Sequence, residues 1–240
     1  MSMVRHLVAR HTHLALRARH MSKISVRPGD AKILSREPME LSEAKWVKLE
    51  KIQWKDQEGR ERKWEVASRS TRKGKVDSVA IFATITAPKR PLSTVIILQY
   101  RPPIDAVIVE LPAGLVDEGE EPEQSAMREL EEETGLKGTR VVDVSPVIVS
   151  DPGMTDANMS LATIEVNVDS VEELEAPQDK LEEGEHIEKR IVAIEDLYQT
   201  CHELTKQGCQ VDARLYHLAW GLECAKRYSL SQSKSNEQKL

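Results

Sequence analysis

"RELEEETG" spans Arg128 to Gly135, and its reading decides the fold. Four of its eight residues are glutamates, crowded against a glycine. Upstream, Pro122 suits the first turn of a helix, and Gly135 suits the position just past its end. The spacing predicts a helix over 122–134. With Glu129 set at zero and about 100° per residue, Glu132 falls at about 300° and Glu133 at about 40°. These three carboxylates share one wedge. Ala126, Leu130 and Met127 form the adjoining apolar stripe. Glu131 points elsewhere, at about 200°, and Arg128 at about 260°.

The ordinary reading of a charge run is a solvated face. Two costs stand against it here. Acids in the last turn face the negative end of the helix dipole, at roughly 0.3–1 kcal/mol each. Glu129 and Glu133 also repel one another at i,i+4, by about a few tenths of a kcal/mol. A divalent cation against the wedge would reverse both costs. Oxygen ligands at this spacing suit Mg²⁺ or Mn²⁺, which share phosphate oxygens with a substrate.

The rest of the chain bounds this reading. Its 240 residues are enough for one good-sized core with a small accessory unit. No apolar run approaches the roughly 18 residues of a membrane span, so no membrane partner is expected. The three cysteines, Cys201, Cys209 and Cys224, form no C-x-x-C pair and read as reduced thiols. The formal net charge of −6 is uneven. Before Asp30 there are six arginines and lysines and no acid. Setting those six aside leaves 28 bases against 40 acids. An acidic body excludes a general polyanion binder, and no nucleic acid is expected as a partner. An anionic substrate then needs a metal or a local arginine cluster to receive it.

Residues 1–28 are basic, acid-free and alternate with apolar positions. That composition resembles a mitochondrial transit peptide, with a basic tail as the alternative. The address expected is therefore the cytoplasm, with the nucleus or the mitochondrial matrix as alternatives. A hairpin is expected between 45 and 72, around the turn-like "KDQEGR", in an N-terminal β domain over 29–75. A larger domain follows over 76–228. Strands are expected at 79–87, 94–100, 106–111, 140–149, 159–168 and 190–195. Beyond the acidic helix, two more are expected near 195–206 and 212–228, with Asp212 near the start of the last. Residues 229–240 are polar and read as a disordered tail. The fold class is α+β, a mixed sheet with helices packed on it.

"GLVDEGEEPEQSAMRELEEETGL", Gly114 to Leu136, resembles the Nudix box, G-x5-E-x7-R-E-U-x-E-E-x-G-U, with U a bulky aliphatic residue. Gly114, Glu120, Arg128, Glu129, Leu130, Glu132, Glu133, Gly135 and Leu136 fill every specified position. The resemblance implies the Nudix α/β/α sandwich. It implies Glu129 and Glu133 as metal ligands, with Glu132 a further ligand or water-orienting group and the Ala113 carbonyl completing the site. Arg128 would hold a carboxylate in place, and Glu120 would pair within the loop. Gly114 would permit the tight loop and Gly135 the helix stop. Two or three Mg²⁺ ions, or Mn²⁺, are implied as cofactors.

The resemblance extends over roughly 45–228, through "KWVKLEK", "WEVASRSTR", "QYRPP", "SDPGMTD" and "VDARLY", to the eukaryotic ADP-ribose and ADP-sugar pyrophosphatase subfamily. Pro152 lies where that subfamily carries a proline. It implies that Trp46 and Trp64 sandwich adenine, one ring from each subunit of a domain-swapped homodimer. The ordinary reading of each tryptophan is hairpin packing. Arg69 and Arg101 would contact the diphosphate and terminal ribose, as a guanidinium fork suits. The base that accepts the attacking water's proton would lie in "LEEGEHIEKR", with Glu185 the best match and Glu188, Glu182 and Glu183 alternatives. His186 is given no role, and Trp54 and Trp220 read as packing residues. The implied reaction is hydrolysis of ADP-ribose or another ADP-sugar to AMP and a sugar phosphate. A Nudix hydrolase for another nucleoside diphosphate derivative is one alternative. A non-catalytic ADP-ribose-binding module is another.

Overall fold

A computed structural model describes residues 28–175, 181 and 184–228. The basic segment that resembles a transit peptide, the polar tail, and the candidate bases Glu182 and Glu183 lie outside the described residues.

The hairpin forms as β1 (Val47–Lys55) and β2 (Glu61–Arg69), paired antiparallel without a break from Val47↔Arg69 to Lys55↔Glu61. Its turn closes because Gly59 adopts φ 81° and Asp56 accepts from the Glu58 and Arg60 amides. Alternation along a strand puts Trp46, Trp54 and Trp64 on one side of this ribbon. Trp46 and Trp64 are the more exposed, and Trp54 is 39% exposed.

The hairpin stands apart from a nine-stranded mixed sheet. Its strands are β3 (Ser78–Thr86), β4 (Ser93–Arg101), β5 (Ala106–Glu110), β6 (Ala113–Leu115), β7 (Arg140–Val144), β8 (Ile148–Val149), β9 (Asn158–Asn167), β10 (Ile187–Ala193) and β11 (Gln210–Val211). β3 runs parallel to β9 along its whole length, and β11 runs parallel to β5. β4 lies antiparallel between β5 and β10. β3 and β4 pair only at Ile85↔Ser93. They diverge from there, and the chain crosses the widening gap at Leu111–Pro112 to pair β6 with β3. The Ile81 amide bonds to the Pro112 carbonyl at 2.8 Å and fixes that crossing.

Helices cover both faces. α1 (Pro122–Thr134) packs Ala126 and Leu130 onto Val79, Ile81, Ile164 and Val166. α2 (Leu197–Lys206) and α3 (Ala213–Arg227) bury Leu197, Cys201, Leu204, Leu215 and Ala219 against Ile96, Leu98 and Val109. This is the expected α+β sandwich. Ahead of the hairpin, the turn at Pro28–Asp30 and Arg36 lie against the β4–β5 region, Arg36 donating to the Pro103 carbonyl at 3.0 Å.

Two expected elements differ. The single strand at 140–149 is two, because Pro146 has no amide to donate and the ladder stops at Val144. The helix expected from 195 starts at Leu197, after a 3-10 turn over Ile194–Asp196.

Gly138 fixes how α1 returns to the sheet. A Cβ there would lie 2.5 Å from Met127 Sδ and 2.8 Å from Ile164 Cγ2. Gly138→Ala should therefore lower stability by roughly 1–3 kcal/mol through overpacking. A chemical denaturation curve with an unchanged midpoint would disprove that close approach.

Candidate functional site

α1 begins with a capping box, the Glu121 amide donating to Gln124 Oε1 at 2.9 Å, and Pro122 follows in the first turn. It stops where Gly135 takes φ 71°, its amide returning to Glu131 O at 2.8 Å. Between these ends the helix presents its acids to a cleft of about 550 Å³. Glu129, Glu132 and Glu133 line it with Ala113, Gly114, Arg69, Arg101, Arg128 and Glu185. Glu131 lies outside the cleft, with Lys137 Nζ 4.0 Å away.

Arg128 organises the loop and the helix together. Its Nε and Nη2 reach Glu120 at 3.1 and 3.0 Å, and Nη2 also donates to the Leu115 carbonyl at 3.1 Å. Its Nη1 holds Glu129 at 2.8 Å and Glu132 at 2.9 Å. Arg128 and the Ser125 hydroxyl together hold the Glu120 carboxyl down at about 2. Glu120 is thereby engaged within the loop.

Glu133 is different. It is 5% exposed, and its Oε2 accepts from the Ala113 amide at 2.9 Å. Burial pushes its carboxyl up to about 8, and the charges of Glu129 and Glu185 add to the shift. Burial also raises Glu129, again with Glu132 and Glu185 adding and Arg128 opposing. Glu129 and Glu133, both discouraged from ionising, form with the neighbouring carboxylates a donor set that a hard cation fits. Among the described residues no three of them are already arranged as a metal site. The contacts explain this: Arg128 holds Glu129 and Glu132, while the Ala113 amide holds Glu133. A Cβ at Gly114 would sit 1.8 Å from the Glu129 carboxyl carbon, so any larger residue would push that carboxylate from its place.

The other expected residues divide. Arg101 reaches the cleft from the end of β4 and binds Glu110 Oε2 through Nε at 3.0 Å and Nη2 at 2.8 Å. Arg69 lines the cleft from the end of β2. Glu185 faces the acids, whereas Glu188 does not. Glu188 lies on β10, pairs with Arg190 at 2.8 Å and lines a separate hollow beside Cys209. Trp46 and Trp64 are outside the cleft, 71% and 49% exposed. Trp64 Nε1 donates to the Gly153 carbonyl at 3.0 Å, next to Pro152. Sequence reasoning missed Glu110 and Arg214, which line the cleft with Ser78, Met159 and Asp117. Glu110 carried a signal, an acid closing the apolar run "AVIVEL". Arg214 lay within "VDARLY", a stretch in which no side chain was given a role.

Carboxylates and guanidiniums gathered around one cleft suit metal-assisted hydrolysis of a phosphate-bearing substrate. The family model of the NUDIX domain matches residues 76–218, and the chain belongs to the Nudix family of hydrolases. Over 215 residues it is 39% identical to the ADP-ribose pyrophosphatase of Saccharomyces cerevisiae, covering 88% of this chain and 92% of that protein. Over 184 residues it is 37% identical to the ADP-sugar pyrophosphatase of Mus musculus, covering 76% and 83%. Hydrolases of this family need divalent cations.

The Glu133 shift has a defined sign. Its folded pKa lies above the ordinary 4.5, so the unfolded chain releases this proton more readily. Stability of the cation-free protein should fall as pH rises from about 5 to about 8. Glu133→Gln should remove that part of the slope, and a divalent cation should flatten it in the wild type. Melting curves in chelator with the same slope in both proteins would refute the shift.

Proposed function

We propose that the protein hydrolyses the diphosphate of ADP-ribose and related ADP-sugars, giving AMP and a sugar phosphate. The observation that carries this reading is the cleft itself: Glu129, Glu133 and Glu185 crowd one side, with Arg69 and Arg101 beside them. The two pyrophosphatase relatives support the choice of substrate. Retention of every box carboxylate disfavours a purely binding role.

Glu129 and Glu133 would ligate Mg²⁺, or Mn²⁺, with the Ala113 carbonyl. Cations held there would neutralise the diphosphate and acidify a bound water. Arg69 and Arg101 would orient the phosphoryl oxygens. Glu185 would take the proton of the attacking water, and Glu132 would orient that water. The new bond joins water oxygen to one phosphorus, and the bond from that phosphorus to the bridging oxygen breaks. Ribose 5-phosphate and AMP leave.

Adenine binding would need two chains. Trp46 extends β1 and falls opposite Ser70, whereas Trp64 pairs with Ile52. That puts the rings about 20 Å apart along the ribbon. One base cannot span them. The pairing supports a homodimer in which each site takes Trp46 from one chain and Trp64 from the other. Every residue of β1 is exposed, which suits such an interface.

With Mg²⁺, the purified protein should release AMP from ADP-ribose. Glu133→Gln should lower kcat at least about a hundredfold. Glu131→Gln should stay near wild type. Equal turnover by the Glu133 variant would sink the metal assignment.

Trp46→Ala and Trp64→Ala should each raise KM by about fivefold or more, the loss of one stacking contact. Co-expressing the two variants should restore some tight sites, because one site of each mixed dimer keeps both rings. No restoration would rule out the two-chain site.

A further inference from the structure

Besides Arg69, Arg101 and Arg128, the cleft contains a fourth guanidinium that is built into its wall, Arg214 at the start of α3. Its placement is fixed in two stages. Asp212 is tied to β5 by its amide, which donates to the Val109 carbonyl at 3.0 Å. The Asp212 carboxylate then caps α3, accepting from the Arg214 amide at 2.8 Å. That bond satisfies one of the free amides at the helix start. The same carboxylate also grips the Arg214 side chain, Oδ1 to Nε at 2.8 Å and Oδ2 to Nη2 at 2.6 Å. A two-point fork fixes the plane of a guanidinium, which a helix cap does not require.

The remaining donors lack a strong acceptor. Nη1 faces Met159 Sδ at 3.2 Å, a weak partner. Among the described residues the guanidinium makes no other hydrogen bond, and the side chain is 39% exposed where it lines the cleft. Glu110 is the third part of the arrangement. It is buried, lines the same cleft and is bound by Arg101 through Oε2. Its charge also favours the protonated form of Arg214, after the larger contribution of the Asp212 fork. One buried carboxylate therefore offsets the repulsion between two guanidiniums in one cleft.

We propose that Arg214 is a substrate-binding residue, donating to a phosphoryl oxygen of the diphosphate alongside Arg101, with Asp212 as its positioning residue. This deepens the preceding reading of the site and rests on it. A diphosphate offers several non-bridging oxygens, and guanidinium donors held in plane meet them without first being ordered. The Asp212 fork supplies that order in advance.

The test uses the full chain with Mg²⁺ and two probes, the non-cleavable α,β-methylene analogue of ADP-ribose and adenosine. Calorimetry gives the Kd of each for the wild type, Arg214→Gln and Asp212→Asn, with a melting curve for every protein. Arg214→Gln should bind the analogue about ten- to a hundredfold more weakly, as loss of a charge-assisted hydrogen bond requires. Its adenosine affinity should not change. Asp212→Asn keeps an oxygen for the cap, loses the fork, and should show a smaller loss for the analogue alone. Unchanged analogue affinity in Arg214→Gln overturns the proposal and leaves a fold role. So do equal losses for both probes. A wild type that binds no analogue overturns the ADP-sugar reading itself, and this inference with it; the wild-type titration alone decides that case.

Discussion

The site depends on one guanidinium. Arg128 joins a loop acid, Glu120, to two helix acids, Glu129 and Glu132, and to the loop carbonyl of Leu115. Without it, loop and helix would present like charges to each other across a half-buried surface. A single surface ion pair contributes about 0–1 kcal/mol. A network sharing one cation is worth more, because each carboxylate also fixes the geometry of the others. The result is asymmetric. Arg128 holds Glu120, Glu129 and Glu132, whereas Glu133 has the Ala113 amide and a carboxyl driven up to about 8. The acid most deeply buried on the helix is thus the one that Arg128 does not hold. Cohesion of loop and helix and the most desolvated carboxylate fall to neighbouring residues of one helix.

The sheet gives that helix something to face. β3 and β4 share one pair and then separate. Their far ends, Ser78 and Arg101, stand on opposite walls of the cleft. The crossing at Pro112 places β6 against β3 and delivers Gly114 under Glu129. A proline serves there because its carbonyl still accepts from Ile81 although its nitrogen has nothing to donate. α3 adds Arg214 to the cleft, its start tied to β5 by the Asp212 amide on the Val109 carbonyl.

What was legible in the sequence follows from pattern length. Thirteen residues with a proline start and a glycine stop are enough to place α1 within its observed ends, and to separate Glu131 from its neighbours by angle alone. Three residues of β6 and two of β11 carry no period at all, and neither was foreseen. The division between Glu185 and Glu188 was also hidden. Strand alternation decides it, but only once β10 is known to begin at Ile187. Arg214 fell within "VDARLY" but no role was read for it there. Its placement depends on a fork to a residue two positions away and on contact with Met159, fifty-five positions away, and no local pattern records the second.

The hairpin is anchored by the same turn that orients one of its rings. A two-stranded ribbon is marginal alone. This one is held at its base by the Ala67 amide on the Met154 carbonyl, and near its middle by Trp64 on Gly153. Behind it, Arg72 forks onto buried Asp77 at 2.6 and 2.7 Å and donates to the Asp156 carbonyl at 2.6 Å. Asp77 in turn exchanges hydrogen bonds with Asn158 at 2.9 and 2.8 Å, fixing the start of β9. The partners Gly153, Met154, Asp156 and Asn158 lie within or just after the turn that carries Pro152. The indole of Trp64 is therefore oriented by the same segment that anchors the ribbon. Whatever orders residues 151–156 also orders that ring, and a ligand stacking on the ring must stabilise the turn in return.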